Sequence, residues 1–330
     1  MRVYFYVTLA VSYLKNNLLL RHIIAFEMNG ANLVHQLIVR LRMEEIFVRL
    51  RRRTNYLRKF IPLNVRHKFT SFGRFIPHSS SYHQDDSHYV TRDNTNFKLN
   101  RSDYVQWRIF YGVRDNALRY AKECIASNSV VLDIGANCGA FSLKLAAHAS
   151  QHQLSNVIIH AFEPNPIVFK FYENNLSLNP RLHKFIKIHP IGFGSEPGQK
   201  TFQFPPSNTG VGRVLNSGMP GDTTVNIQRL DDFISGLNPA KISFIKLIVE
   251  GYEPEVFKGG WNIIKTYRPT IFFEVTEEWY AQNNSSVDEI LSQLKQLGYR
   301  FQGELHNEMI PYNKANFNSV YQYNLLATID

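Results

Sequence analysis

The sequence predicts an α/β domain with a mostly parallel sheet, joined to a basic, partly helical N-terminal extension. Two observations carry this. After residue 100, short apolar runs alternate with segments long enough for helical crossovers, and strands that alternate with helices pair in parallel because each connection must recross the sheet. The charge is also lopsided: residues 1–90 hold 14 Lys and Arg against 5 Asp and Glu, while residues 91–330 hold 23 against 22. The net charge of +10 therefore belongs almost wholly to the first quarter of the chain. The expected division is 1–90, basic extension and linker, and 91–330, the folded domain.

Within the extension, MRVYFYVTLAVSYLKNN has a basic start and an apolar stretch but no clear small-x-small cleavage pattern. It falls short of the roughly 20 residues that span a bilayer, and reads as a peripheral helix or an over-extended start, with Met28 and Met43 as alternative initiators. Residues 43–68 interleave Arg and Lys with Ile, Phe, Val, Leu and Tyr at helical spacing up to Pro62. That pattern fits a helix lying on an anionic membrane surface and equally a solvated helix face. Residues 76–90 read as a polar linker. The two cysteines, Cys124 and Cys138, have no partners at metal or disulfide spacing, so a reducing, cytoplasmic setting with no metal is expected, with a peripheral membrane contact through the basic helix.

The domain's elements follow in order. Residues 102–125 predict two helices broken near Gly112, and VVLDIG at 130–135 is the first sheet strand. NVIIHAF ending at Phe162, KIHPI ending at Ile191, FIKLIV ending at Val249 and TIFFEV ending at Val275 are the next four. TFQF and TVNIQRL, between Ile191 and Phe244, predict an inserted hairpin. In SSVDEILSQLKQLGY, Ser286 and Glu289 have capping-box spacing, Val287, Ile290, Leu291, Leu294 and Leu297 make one apolar face, and Gly298 stops the helix. YRFQGEL and YQYNLLATI close the chain as an antiparallel pair.

The chemistry concentrates at strand ends. VVLDIGANCGAFSLKLAA places Asp133 at the end of the first strand and Gly135, Asn137 and Gly139 in a tight loop before a helix, where glycine admits close backbone approach and the helix start offers free N–H groups. A nicotinamide site prefers G-x-G-x-x-G; here the spacing is D-x-G-x-x-x-G. The second strand ends in HAFEPNP, which sets Glu163 where a carboxylate accepts both hydroxyls of a ribose. Singly, Asp133 fits a helix N-cap and Glu163 an exposed loop acid. Together they describe an adenosine ligand whose charged part is not a pyrophosphate, S-adenosyl-L-methionine, with Asp133 near its methionine end.

VVLDIGANCG, HAFEPNP, IKLIVEGYEPEVFKGG at 245–260 and RPTIFFE at 268–274, in that order and spacing, resemble the FkbM-type S-adenosylmethionine-dependent methyltransferases over about residues 104–280. The resemblance implies a class I methyltransferase (Rossmann-like) three-layer sandwich with a mostly parallel seven-stranded sheet and an antiparallel C-terminal strand. It implies O-methylation of a hydroxyl, on a saccharide, glycolipid or related small molecule. One position departs: the family pattern K-x-D-V-E-G has Ile248 in place of its acid, which leaves open a member that binds cofactor or a partner without turnover.

A general base is expected near the acceptor hydroxyl, from Glu250 first, then Glu253 and Glu274; the alternative for Glu250 is a structural acceptor for backbone N–H groups in the E-G-Y turn. Glu255 belongs to the first turn of the next helix, and His160 and His189 to the core. SNTGVGR at 207–213 offers Asn208 and Arg213 as an acceptor-side lid, or an ordinary hairpin connection. The basic extension suggests nucleic acid as a lesser alternative, but no N-P-P-Y-type motif occurs and the domain is charge-balanced.

Overall fold

The computed structural model describes residues 78–329, except 85, 206, 207, 209, 211 and 216–218. The basic helix expected at 43–68 lies outside the described residues. Residues 1–83 and 84–330 are two compact units. Of the first, Ser79–Ser81 form a 3-10 turn capped by the His78 side chain, which accepts from the Ser80 N–H. No helix among the described residues is long and apolar enough to cross a membrane.

The second unit opens with an antiparallel hairpin, β1 (Ser87–Arg92) and β2 (Thr95–Asn100). Part of this strand pair falls in the stretch read as linker. Helices α1 (Tyr104–Phe110) and α2 (Asn116–Cys124) follow, each capped by an aspartate: Asp103 accepts from the Gln106 N–H and Asp115 from the Leu118 N–H. Then come β3 (Val130–Ile134), α3 (Ala140–Gln151), β4 (Ile158–Phe162), α4 (Pro166–Ser177) and β5 (Ile186–His189). Asn165 caps α4, whose first residue is Pro166, a position where the missing N–H costs nothing.

An inserted sheet comprises β6 (Gly192–Phe193), β7 (Gly198–Gln203), β8 (Arg213–Val214) and β9 (Thr223–Gln228), in the order β6-β9-β7-β8. The expected hairpin is its antiparallel β7–β9 pair. The chain continues through α5 (Leu230–Leu237), β10 (Ile242–Leu247), α6 (Glu253–Gly259), α7 (Trp261–Tyr267), β11 (Thr270–Val275), α8 (Glu277–Gln282) and α9 (Val287–Gln296). Strands β12 (Arg300–Leu305), β13 (Glu308–Pro311) and β14 (Tyr323–Thr328) end it. Ser286 caps α9 by accepting from the Glu289 N–H, and Gly298 follows in the left-handed region.

The main sheet has the order β13-β12-β14-β11-β10-β3-β4-β5, parallel from β11 to β5 and antiparallel from β11 through β14 and β12 to β13. The eighth strand, beyond the seven expected, is β13. It folds back on β12 through His306 and Asn307, both with positive φ, 52° and 62°, a turn whose twist matches a hairpin.

Strand alternation makes the three layers. Leu132, Ile134, Ile245, Leu247, Ile271 and Phe273 share a core with α5, α6, α7 and α9. Asp133 and Phe244 point the other way, where Ser142 and Phe141 of α3 meet them. After β5 the chain crosses to the far side of β3 and continues at β10, so the strand order reverses between β3 and β10. Open α/β sheets bind ligands at such a switch point, outside the carboxyl ends of the strands.

Candidate active site

A cavity of about 290 Å³ opens at that point, lined from β3 by Ile134–Cys138, from β4 by Phe162–Pro164, and from β10 by Lys246 and Ile248–Glu250. Its loop after β3 is shaped by two close approaches. A Cβ on Gly135, at φ +81°, would sit 1.8 Å from the Ile248 carbonyl oxygen, and one on Gly139, at φ +85°, would sit 2.3 Å from the Tyr172 ring. Both glycines thus make room for the protein itself, where the sequence reading expected room for ligand. Gly135 nevertheless lines the cavity, whereas at Gly139 its neighbours Cys138 and Ala140 do.

Asp133 is fully buried and does not line the cavity. Its carboxylate takes the Ser142 hydroxyl at 2.6 Å and the Lys246 ammonium at 2.9 Å, and Lys246 also donates to the Gly135 carbonyl at 2.8 Å. Asp133 therefore faces the cavity through Lys246, a residue the sequence reading did not single out. The available signal was register: Lys246 lies directly opposite Asp133 across the β10–β3 pair.

Glu163 lines the cavity and is held by two backbone N–H groups, Asn137 at 2.9 Å and Asn165 at 2.9 Å. Burial pushes it up to about 7 against the pull of those bonds. Each oxygen keeps a lone pair, since a carboxylate has about four acceptor positions. Asn137, at φ 52°, supplies that N–H from the loop and turns its own amide oxygen onto the Cys138 N–H. Ile191 and Phe193 wall the cavity beyond Glu163. An acceptor for ribose hydroxyls beside an apolar wall for a base fits an adenosine group.

The strand expected to reach Val249 ends at Leu247. The Ile248 N–H still bonds to the Ile134 carbonyl at 3.1 Å, but Glu250 and Gly251 then turn left-handed at φ 56° and 91°. The reason is Glu253, fully buried, whose carboxylate takes the N–H of Val249 at 2.8 Å and of Gly251 at 3.0 Å. The structural role considered for Glu250 thus falls to Glu253, which does not line the cavity. Because of the turn, Glu250 does not continue the strand alternation of Lys246 and Ile248, although all three residues line the cavity.

Glu250 and Glu274 both line it, and each has one buried oxygen with no hydrogen-bond partner among the described residues. Burial first, and for Glu250 the charges of Glu274 and Glu253 as well, raise both above the ordinary carboxylate range; Lys246 pulls the other way. Glu274 lies opposite Asn324 on β14, and Glu304 is the next residue along β12 after Gly303, which pairs with Leu325. Glu304 accepts from Asn324 Nδ2 and from Asn116 Nδ2, both at 2.8 Å. These three also line the cavity and were missed in the sequence, where Asn116 looks like ordinary helix start and Asn324 like a solvated strand position.

From the loop at 207–213, Gly210 and Gly212 line the cavity and Asn208 and Arg213 do not. Asn208 accepts from the Gly210 N–H at 3.3 Å, and the Arg213 guanidinium lies 6.0 Å from the Trp279 ring centroid. Glu255 joins Ser195 and Lys258 at the start of α6, away from the cavity.

Comparison with known proteins agrees with this geometry. The family model described as methyltransferase FkbM domain matches residues 133–301. A hexuronic acid methyltransferase of Haloferax volcanii is 25% identical over 191 residues, 57% of this chain and 72% of that protein. Methyltransferase sdnD of Sordaria araneosa is 26% identical over 175 residues, 43% of this chain and 65% of that protein. Among solved structures, the FkbM methyltransferase of Methylobacillus flagellatus covers 89% of this chain and 60% of its own at 16% identity and a TM-score of 0.39, a likeness too slight to carry an argument. With the matched segment spanning half the chain and holding the strand ends that build the cavity, the chain belongs to the FkbM methyltransferase family.

Proposed function

We propose that this methyltransferase uses S-adenosyl-L-methionine to methylate a hydroxyl of a saccharide or glycoconjugate. The observation that carries the reading is a division of labour within one cavity. At one end Glu163 offers lone pairs to a ribose; at the other, Glu250 and Glu274 each present a buried oxygen without a partner among the described residues. The relative named a hexuronic acid methyltransferase supports a sugar acceptor.

When bound, the cofactor supplies an electrophilic methyl group. The residues of this chain must hold an acceptor hydroxyl in place and take its proton. Glu250 is the base in this scheme, with Glu274 beside it. A positioned base contributes about 10² to 10⁴ in rate; burial and the neighbouring acids push Glu250 up to about 9, so the ionised fraction able to take a proton grows as the pH rises toward that value. Lys246, anchored by Asp133, keeps a positive charge near both acids. Asn208 and Arg213 are no part of this scheme.

The test is transfer of labelled methyl to fractionated glycans and glycolipids, alongside calorimetry of cofactor binding. Transfer into a saccharide fraction, with cofactor affinity lost in Glu163→Ala, is the expected result; labelling confined to nucleic acid or protein would overturn the acceptor class. A second reading rests on Ile248, an apolar residue lining the cavity beside the acids: a chain that binds cofactor without turnover. Under that reading methyl transfer appears in Ile248→Asp alone, and turnover by the native chain removes it.

A further inference from the structure

Glu304 sits between two amides. Its Oε1 accepts from Asn116 Nδ2 and its Oε2 from Asn324 Nδ2, and Asn116 Nδ2 also faces the Asn307 carbonyl at 3.4 Å. An ionised carboxylate and a carbonyl can only accept hydrogen bonds. Their placement therefore fixes both side-chain amides with the NH₂ turned inward to Glu304. Both Oδ1 atoms are left buried, with no partner among the described residues, and Asn116 itself is 3% exposed. Both residues line the cavity, as do Glu274 and Glu250.

An amide oxygen can only accept, so each unpaired Oδ1 calls for a hydrogen-bond donor, and buried polar groups are regularly paired in the functional state. Donor-rich ligands are polyols or ammonium compounds. A cation gains most from ionised acceptors, so the two neutral amide oxygens are better matched to hydroxyls.

We propose that Asn116 and Asn324, oriented by Glu304, form a polyol-reading subsite, in which the two amide oxygens accept hydrogen bonds from hydroxyls on the same ring as the one presented to Glu250. The inference rests on the methyl-transfer reading for the role of that neighbouring hydroxyl, while recognition of hydroxyls by the amides stands on the cavity alone. Glu304 is a positioning residue: it touches the amides and sets which of their atoms meets the ligand. The subsite selects rings with free hydroxyls over deoxy or methoxy analogues, because a missing donor leaves a buried acceptor unpaired.

The test uses the full chain loaded with S-adenosylhomocysteine and titrated with methyl α-glucoside, methyl α-mannoside, methyl α-galactoside and, as a ring without secondary hydroxyls, tetrahydropyran-2-methanol. At least one hexoside is expected to bind and the control ring not to. Asn116→Leu and Asn324→Leu should each weaken that hexoside at least tenfold, with S-adenosylhomocysteine held within twofold of the native affinity. Glu304→Gln, which can accept one NH₂ but not two, should fall between native and leucine variants. Melting is followed throughout, and Asn116→Ser and Asn324→Ser replace any leucine variant that does not fold.

No binding of any hexoside to the native chain, equal binding of the control ring, or hexoside affinity unchanged in all three variants overturns the subsite. Amide-dependent hexoside binding supports it whether or not methyl transfer follows. If such binding occurs and no methyl is transferred to any bound sugar, the functional reading falls and the subsite stands. Methyl transfer to an acceptor that ignores all three variants does the reverse.

Discussion

Lys246 of β10 donates to the carboxylate of Asp133 on β3 at 2.9 Å, across the point where the strand order reverses. The two residues are directly opposed in the sheet, Asp133 is fully buried, and Lys246 reaches on to the Gly135 carbonyl. The pair therefore locks the first glycine of the cavity loop to the neighbouring strand.

Removing one partner strands the other's charge in the interior, which costs about 3–5 kcal/mol. Asp133→Ala should lower stability by that order in chemical denaturation. Asp133→Asn combined with Lys246→Met should recover a good part of it, because no unpaired charge is left. Stability of Asp133→Ala close to that of the native chain would remove the lock.

Glu163 is expected to act on cofactor affinity. Hydrogen bonds to charged groups are worth about 1.5–3 kcal/mol each, so Glu163→Gln should weaken S-adenosylmethionine by roughly tenfold or more in calorimetry. Glu163→Ala also strands the Asn137 and Asn165 N–H groups and should lose stability too, which makes the glutamine variant the cleaner measurement. Because burial holds the free carboxyl near 7, affinity should drop as the pH is lowered through that value.

Glu250 and Glu253, three residues apart, should separate cleanly. Glu250→Gln is expected to lower kcat by about 10² to 10⁴ with little change in melting. Glu253→Gln keeps one carbonyl oxygen for two N–H groups, and should cost about 1–3 kcal/mol of stability for the one left unpaired. Equal effects of the two variants on kcat and on melting would erase the distinction.

Between pH 6.5 and 8 the ligand-free protein should lose stability as the pH rises. Glu250 and Glu253 are pushed by burial and by neighbouring carboxylates well above their ordinary 4.5, so the fold still holds protons there that the unfolded chain has released. Each such proton costs roughly 1.4 kcal/mol per pH unit. Below pH 6.5 the slope is opposed by histidine. His160, buried against His189 at 3.1 Å, is pushed down to about 4, and there the unfolded chain binds the extra proton. Denaturant midpoints at pH 6.5, 7.25 and 8 check the sign; a rise in stability over that window would contradict it.

Much of the frame was legible. TIFFEV is a strand over its predicted length, Ser286 caps its helix, and Glu163 and Glu250 both line the cavity at the switch point, whereas Asp133 lies buried behind Lys246. The β1–β2 hairpin was not read, though Asp93 and Asn94, both at positive φ, make its turn; the surrounding histidines, serines and asparagines mask the strand alternation. Strand β13 was missed because four residues are too few to show a period.

The sequence by itself determined most of the elements of the parallel sheet and its helices and the polar residues that end them, because apolar period, caps and glycines act within a few neighbouring residues. Only the tertiary structure decided which acid faces the cavity. Asp133 turned out to be held by a lysine 113 residues away, and Glu253 took the turn's N–H groups while Glu250 lines the cavity. Asn116, Glu304 and Asn324 came together from the start of a helix and two neighbouring strands. Sheet order and register set such contacts, and neither is written in a local pattern.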